Sequence, residues 1–99
     1  MSIRYTLQAR QQLHAIHSYI ADDDPKVALN YLNRIKKGIE RLADFPFLGK
    51  VNPTFDTPSI REWVVLGYKI IYQAGPSDII ILAIYKHLDF DESKIQLDD

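Results

Sequence analysis

The hydrophobic periodicity of the chain changes character once, and that change constrains the fold more than any other feature. Ala28, Tyr31, Leu32, Ile35, Ile39 and Leu42 recur at three- and four-residue spacing, the stripe of an amphipathic helix. From Ile60 onward the pattern is of strands. Segments 60–65, 68–73 and 79–86 are rich in Ile, Val, Tyr and Trp, and are separated by the turn-sized pieces Leu66-Gly67 and 74–78. Helices in the first half followed by short strands in the second predict an α+β domain with the two kinds of element segregated.

Residues 3–5 read as a short opening strand, and Thr6 is a helix N-cap whose hydroxyl accepts from a first-turn amide. Ala9, Leu13, Ile16 and Ile20 then form one apolar stripe, ended by Asp22-Asp23-Asp24-Pro25. Asp24 caps the second helix and Pro25 suits its first turn. Gly38 destabilises a helix interior by about 1 kcal/mol relative to alanine and predicts a close approach to another backbone. This helix ends before Pro46, so the two helices form an antiparallel hairpin. Residues 45–59, with three of the five prolines, read as an ordered irregular connection. The three later strands predict an antiparallel meander, with the last one central because both of its faces are apolar. The expected architecture is β-α-α-β-β-β: a short N-terminal strand and an antiparallel helical hairpin packed on a twisted antiparallel sheet.

With 99 residues and 11.5 kDa the chain makes a single domain, 1–99, carrying an acidic tail at 88–99. It has no cysteine, which excludes disulfides and thiolate metal sites. The opening residues lack the apolar core of a signal peptide, and no stretch approaches a membrane span of about 20 apolar residues. A soluble, cytoplasmic domain with no membrane contact is expected. The net charge of -1 conceals an uneven distribution. Residues 25–87 hold nine Lys or Arg against five acids, whereas 88–99 hold Lys94 against Asp89, Asp91, Glu92, Asp98 and Asp99. A basic body with an acidic end suits an anionic partner, or is simply a solvated surface with a frayed terminus.

Few residues suggest chemistry. His14 and His17 share a helix face, but zinc needs further ligands, so both read as surface or boundary histidines and no metal or cofactor is expected. The four glycines are isolated and form no phosphate loop, and no serine sits in a nucleophile elbow. On the sheet, Arg61 and Lys69, with Tyr85, Lys86 and His87 at the end of the last strand, could surround a phosphodiester. The simpler reading makes Arg61 and Glu62 edge charges and Lys69 part of a solvated face. Alternation puts Arg61, Trp63 and Val65 on one face, and Glu62 and Val64 on the other. Arg61 is placed beyond the paired end of its strand, and both Arg61 and Lys69 are expected to reach solvent. Arg34, Lys36, Lys37 and Arg41 form a basic outer face on the second helix.

The order and spacing of "ARQQLHAIHSYIA", the "L..FP.LGK" end of the second helix and "IRE…GYKIIY" resemble the RelE/ParE superfamily of bacterial toxins over roughly residues 3–87, closer to the ParE branch. The resemblance implies a type II toxin–antitoxin module, of the kind also described as plasmid stabilisation systems. It implies a cognate antitoxin from the adjacent gene, in a heterotetramer or beside a toxin homodimer. ParE-type members poison DNA gyrase; RelE-type members cleave mRNA on the ribosome. Arg61 matches the family's arginine on the first meander strand, and Lys69 stands where many members have arginine. At Tyr85, Lys86 and His87 the family's terminal arginine pair is missing. The resemblance therefore implies a gyrase-binding protein that uses Arg34, Lys37, Arg41, Arg61, Lys69 and Lys86. The alternatives are a ribonuclease built on Arg61, Lys69, Tyr85, Lys86 and His87, or a degenerate, non-toxic member.

Overall fold

The structure is a computed structural model and describes residues 1–86 and 91–97. Strand β1 (Ser2–Tyr5) leads into helix α1 (Leu7–Ala21), which Thr6 caps by accepting from the Ala9 amide at 3.1 Å. Helix α2 (Pro25–Asp44) begins at Asp24, whose carboxylate accepts from the amides of Lys26 and Val27, with Pro25 in the first turn. Both caps sit where side-chain acceptors satisfy otherwise unpaired first-turn donors. After α2 come β2 (Lys50–Val51), β3 (Ile60–Val65), β4 (Tyr68–Ala74) and β5 (Asp78–Tyr85), then a 3-10 turn at Glu92–Lys94.

The five strands make one sheet in the order β1-β5-β4-β3-β2. The meander β3-β4-β5 is antiparallel, and Leu66 and Gly67 close its first hairpin with positive φ at both positions (52° and 83°). This backbone sense matches the right-handed twist of the flanking strands. Strand β1 joins the far side of β5 in parallel, from Ser2 opposite Asp78 to Tyr5 opposite Ile81, so the sheet is mixed. Thr6 continues that edge by donating its amide to Ile81 O and its hydroxyl to Leu82 O. The connection at 45–59 is mostly irregular as expected, but it contributes β2, two residues paired with Arg61 and Glu62. Arg61 lies inside the ladder, opposite Tyr72, rather than beyond its end.

A bulge in β5 decides which side chains reach which face. Tyr72 pairs with Ile81 and Ile71 with Ala83, leaving Leu82 as the extra residue. Ile79 and Ile81 before it, and Ile84 after it, face the helices; Leu82 and Ala83 face the other way. The helix-side core gathers Leu13, Ile35, Ile39, Leu42, Ile70, Tyr72, Ile79, Ile81 and Ile84. Gly38 does mark a close approach, though to a side chain: a Cβ there would lie 2.6 Å from Val65 Cγ1. The opposite face carries a second apolar cluster of Ile60, Ile71, Ile80, Leu82 and Ala83, covered by Phe55 and by Ile95 of the tail. The described part of the acidic tail is thus folded back on the sheet.

Candidate functional site

Two surfaces gather charged side chains. The first is the outer face of α2, where Arg34, Lys37 and Arg41 follow three- and four-residue spacing and form one exposed stripe with Lys36 alongside. Among the described residues, none of Arg34, Lys36 and Lys37 takes part in an ion pair. Arg41 rests 5.9 Å from the centroid of the Trp63 ring on β3. The Trp63 indole N–H is buried and has no acceptor among the described residues. This stripe sits on a 20-residue helix locked to the core by Ile35, Ile39 and Leu42.

The second surface is the open face of the sheet. Lys69 on β4 places its Nζ 3.1 Å from Glu92 Oε2 and 3.5 Å from Glu62 Oε2. Tyr85, brought to this face by the bulge, donates its hydroxyl to Glu92. Asn52 Nδ2 donates to Glu92 Oε1 at 2.9 Å and to Glu62 Oε1 at 3.3 Å, while Thr54 Oγ1 donates to Glu92 Oε1 at 2.9 Å. Asn52 is fully buried, and its Oδ1 accepts from the amides of Thr54 and Phe55, which fixes its orientation. Four donors therefore converge on one carboxylate. Burial pushes the Glu92 carboxyl up, but the bonds from Asn52, Thr54 and Lys69 outweigh this and hold it below the usual range. Burial likewise pushes Lys69 down, yet Glu92 and Glu62 more than compensate and raise it.

The sequence-derived set is divided by the sheet. Lys69 and Tyr85 share the open face. Arg61 is on the helix side, where Nε donates to Pro58 O and a terminal nitrogen to Gly49 O, both at 2.9 Å. Its guanidinium also lies 4.7 Å from the centroid of Phe47, so Arg61 clamps the connection after α2 instead of reaching freely into solvent. Lys86 extends along the helix side, 5.4 Å from the Tyr68 ring. His87 lies outside the described residues. His14 is exposed and His17 half-buried, and no group of three or more His, Asp or Glu suited to a metal occurs among the described residues. Among the described residues, no helix is long and apolar enough to cross a membrane.

Sequence reasoning missed Asn52, Thr54 and Glu92. The only signal for the first two was Asn52-Pro-Thr, a pattern that favours a side-chain-capped turn. Glu92 carried no signal, because its partners lie up to 40 residues away.

Residues 3–89 match the family described as "ParE toxin of type II toxin-antitoxin system, parDE". The chain is 32% identical over 87 residues to a protein of Sinorhizobium fredii (strain NBRC 101917 / NGR234) named "Putative toxin Y4kP", spanning 86% of this chain and 88% of that one. Its fold is similar to a solved structure titled "Chromosomal ParDE TA system from P. aeruginosa", with a TM-score of 0.72 at 24% identity, over 87% of this chain and 95% of that chain.

Proposed function

The chain belongs to the ParE toxin family of type II toxin–antitoxin systems, and from that premise we propose that it acts by binding a protein target, DNA gyrase, and is neutralised by an antitoxin encoded beside it. The observation that carries this reading is the exposed stripe Arg34, Lys37 and Arg41 beside Trp63, on a helix whose other face is anchored in the core. Arginine next to an aromatic ring on a rigid element is the composition of a protein-docking centre. The distribution of the sheet cations supports the same reading. Cleavage through a 2′-hydroxyl needs cations gathered round one phosphate together with an acid and a base. Here Arg61 and Lys86 lie on one side of the sheet, and Lys69 on the other is held between two carboxylates.

The test is to induce the chain without antitoxin and follow supercoiling and transcripts in the same culture. Wild type is expected to damage DNA topology while messages stay intact. A charge-reversed stripe, Arg34→Glu with Lys37→Glu, is expected to lose growth inhibition while its melting temperature holds, since exposed substitutions shift stability by about 0.5 kcal/mol or less. Prompt translation-dependent message cleavage, with supercoiling unchanged, overturns the proposal.

A further inference from the structure

The described tail meets the sheet through side chains. Its backbone hydrogen bonds are local, Lys94 to Asp91 and Ile95 to Glu92, and among the described residues none joins the sheet. Among the described residues, two side chains three positions apart seat it: Glu92 in the ring of donors, and Ile95, 5% exposed, in the slot formed by Ile60, Ile71, Ile80, Leu82 and Ala83.

The receptor side is built independently of the tail. Asn52 is oriented by Thr54 and Phe55 amides of its own turn, Lys69 by Glu62 across the strand pair, and the apolar slot belongs to β3, β4 and β5. Without Glu92, a buried amide and an ammonium would point at an empty position. We infer that the open face of the sheet is a docking site for an acidic polypeptide segment bearing a carboxylate three residues before an aliphatic side chain, and that the chain's own Asp91–Leu97 occupies it in cis until a partner segment displaces it.

The chemistry selects this class of ligand. The Asn52 amide, the Thr54 and Tyr85 hydroxyls and the Lys69 ammonium together suit one carboxylate. Glu62, 7% exposed and bonded to the same Asn52 and Lys69, sets the limit, because its own negative charge disfavours a second full charge such as a phosphate dianion brings. The basic body of residues 25–87 adds long-range attraction for acidic segments. A partner that also pairs with neighbouring surface outcompetes a tail whose described residues make no ladder bond to the sheet. The inference deepens the antitoxin reading by stating what such a partner must present on this face.

The probe is an acetylated peptide of residues 91–97, Asp-Glu-Ser-Lys-Ile-Gln-Leu, titrated into the full chain while the Asn52 side-chain amide is followed by NMR. Two full-length variants loosen the tail, Glu92→Gln alone and Glu92→Gln with Ile95→Asp, each first checked by circular dichroism and melting. The peptide is expected to bind both variants at least tenfold more tightly than wild type and to shift the Asn52 amide. A peptide with Gln in place of its Glu is expected to bind at least tenfold more weakly. Equal binding to wild type and variants, or indifference to that Gln, overturns the inference. In a second arm, purified antitoxin is added to wild type and trypsin cleavage after Lys94 is timed. Acceleration of at least tenfold supports displacement, and a complex in which cleavage is not accelerated overturns it. If no complex forms, the antitoxin reading fails, while the peptide result still decides the site.

Discussion

Tyr72→Phe removes one oxygen from the interior, and the structure says what that oxygen does. The ring is fully buried between the sheet and the helices. Its hydroxyl donates to Pro46 O at 2.8 Å and accepts from the Gly49 amide at 3.0 Å, so one atom fixes both ends of the tight segment after α2. Gly49 packs closely on β3: a Cβ there would lie 2.3 Å from Glu62 O. In the variant the Gly49 N–H stays buried without an acceptor, a penalty of about 1–3 kcal/mol. With ring packing unchanged, the expected loss is about 2 kcal/mol, or roughly 8–16 °C in a domain of this size. Burial also raises the Tyr72 phenol above its ordinary value, only partly offset by the Gly49 amide and the charge of Arg61. The unfolded phenol ionises near pH 10 while the folded one stays neutral. This contribution is therefore fully present below about pH 10 and is lost as pH rises through the higher folded value. Urea unfolding from pH 7 to 11 measures both effects. The variant should start lower and lose less between pH 10 and 11; Tyr5, also raised by burial and by Glu40, retains a residual slope. An unfolding free energy within about 0.5 kcal/mol of wild type at pH 7 refutes the argument, as does an alkaline slope identical to wild type.

Two further outcomes follow from the same geometry. Arg61→Ala removes two hydrogen bonds from a charged donor, so urea unfolding should show a loss of about 2 kcal/mol; Arg61→Lys should recover little of it, because a single ammonium lacks the planar fork that reaches Pro58 O and Gly49 O together. On acidification the tail should leave before the domain melts. The depressed Glu92 carboxyl contributes stability above the ordinary glutamate value of about 4.3 that is lost as pH falls through its lower folded value. The Ile95 methyl resonance should become solvent-like as pH falls below the ordinary glutamate range while that of Ile35 holds, and a tail that stays seated until global unfolding contradicts this.

The helical hairpin was legible because its signals are local. Thr6 and Asp24 cap where their side chains predict, and the stripe Ile35, Ile39, Leu42 is the buried one. Leu66-Gly67 likewise announces its own turn. Strand β2 was not legible, since two residues carry no period and their pairing depends on Arg61 and Glu62. Neither was the bulge at Leu82. Residues 79–84 are apolar on both faces, so there is no alternation whose slip could be noticed. That slip nonetheless decides that Tyr85 shares a face with Lys69. Alternation along β3 correctly separated Arg61 from Glu62, but charge and length drew attention to Arg61 and Lys69 as a pair. The return of Glu92 to Asn52 is a contact between irregular segments, for which sequence offers no rule.

The parallel pairing of β1 with β5 has a consequence for synthesis. Among the described residues, β1 has no neighbour in the sheet until β5 has been made, because Ser2–Tyr5 pairs with residues 78–81. Until then the hairpin of α1 and α2 also lacks Ile79, Ile81 and Ile84 beneath it. Such distant pairings close late and slowly. At roughly 5–20 residues per second, the seventy or so residues between the two strands take about 4–15 s to make. The fold therefore carries a built-in delay: a chain interrupted before residue 78 lacks both the partner strand of β1 and the apolar floor beneath its helical hairpin.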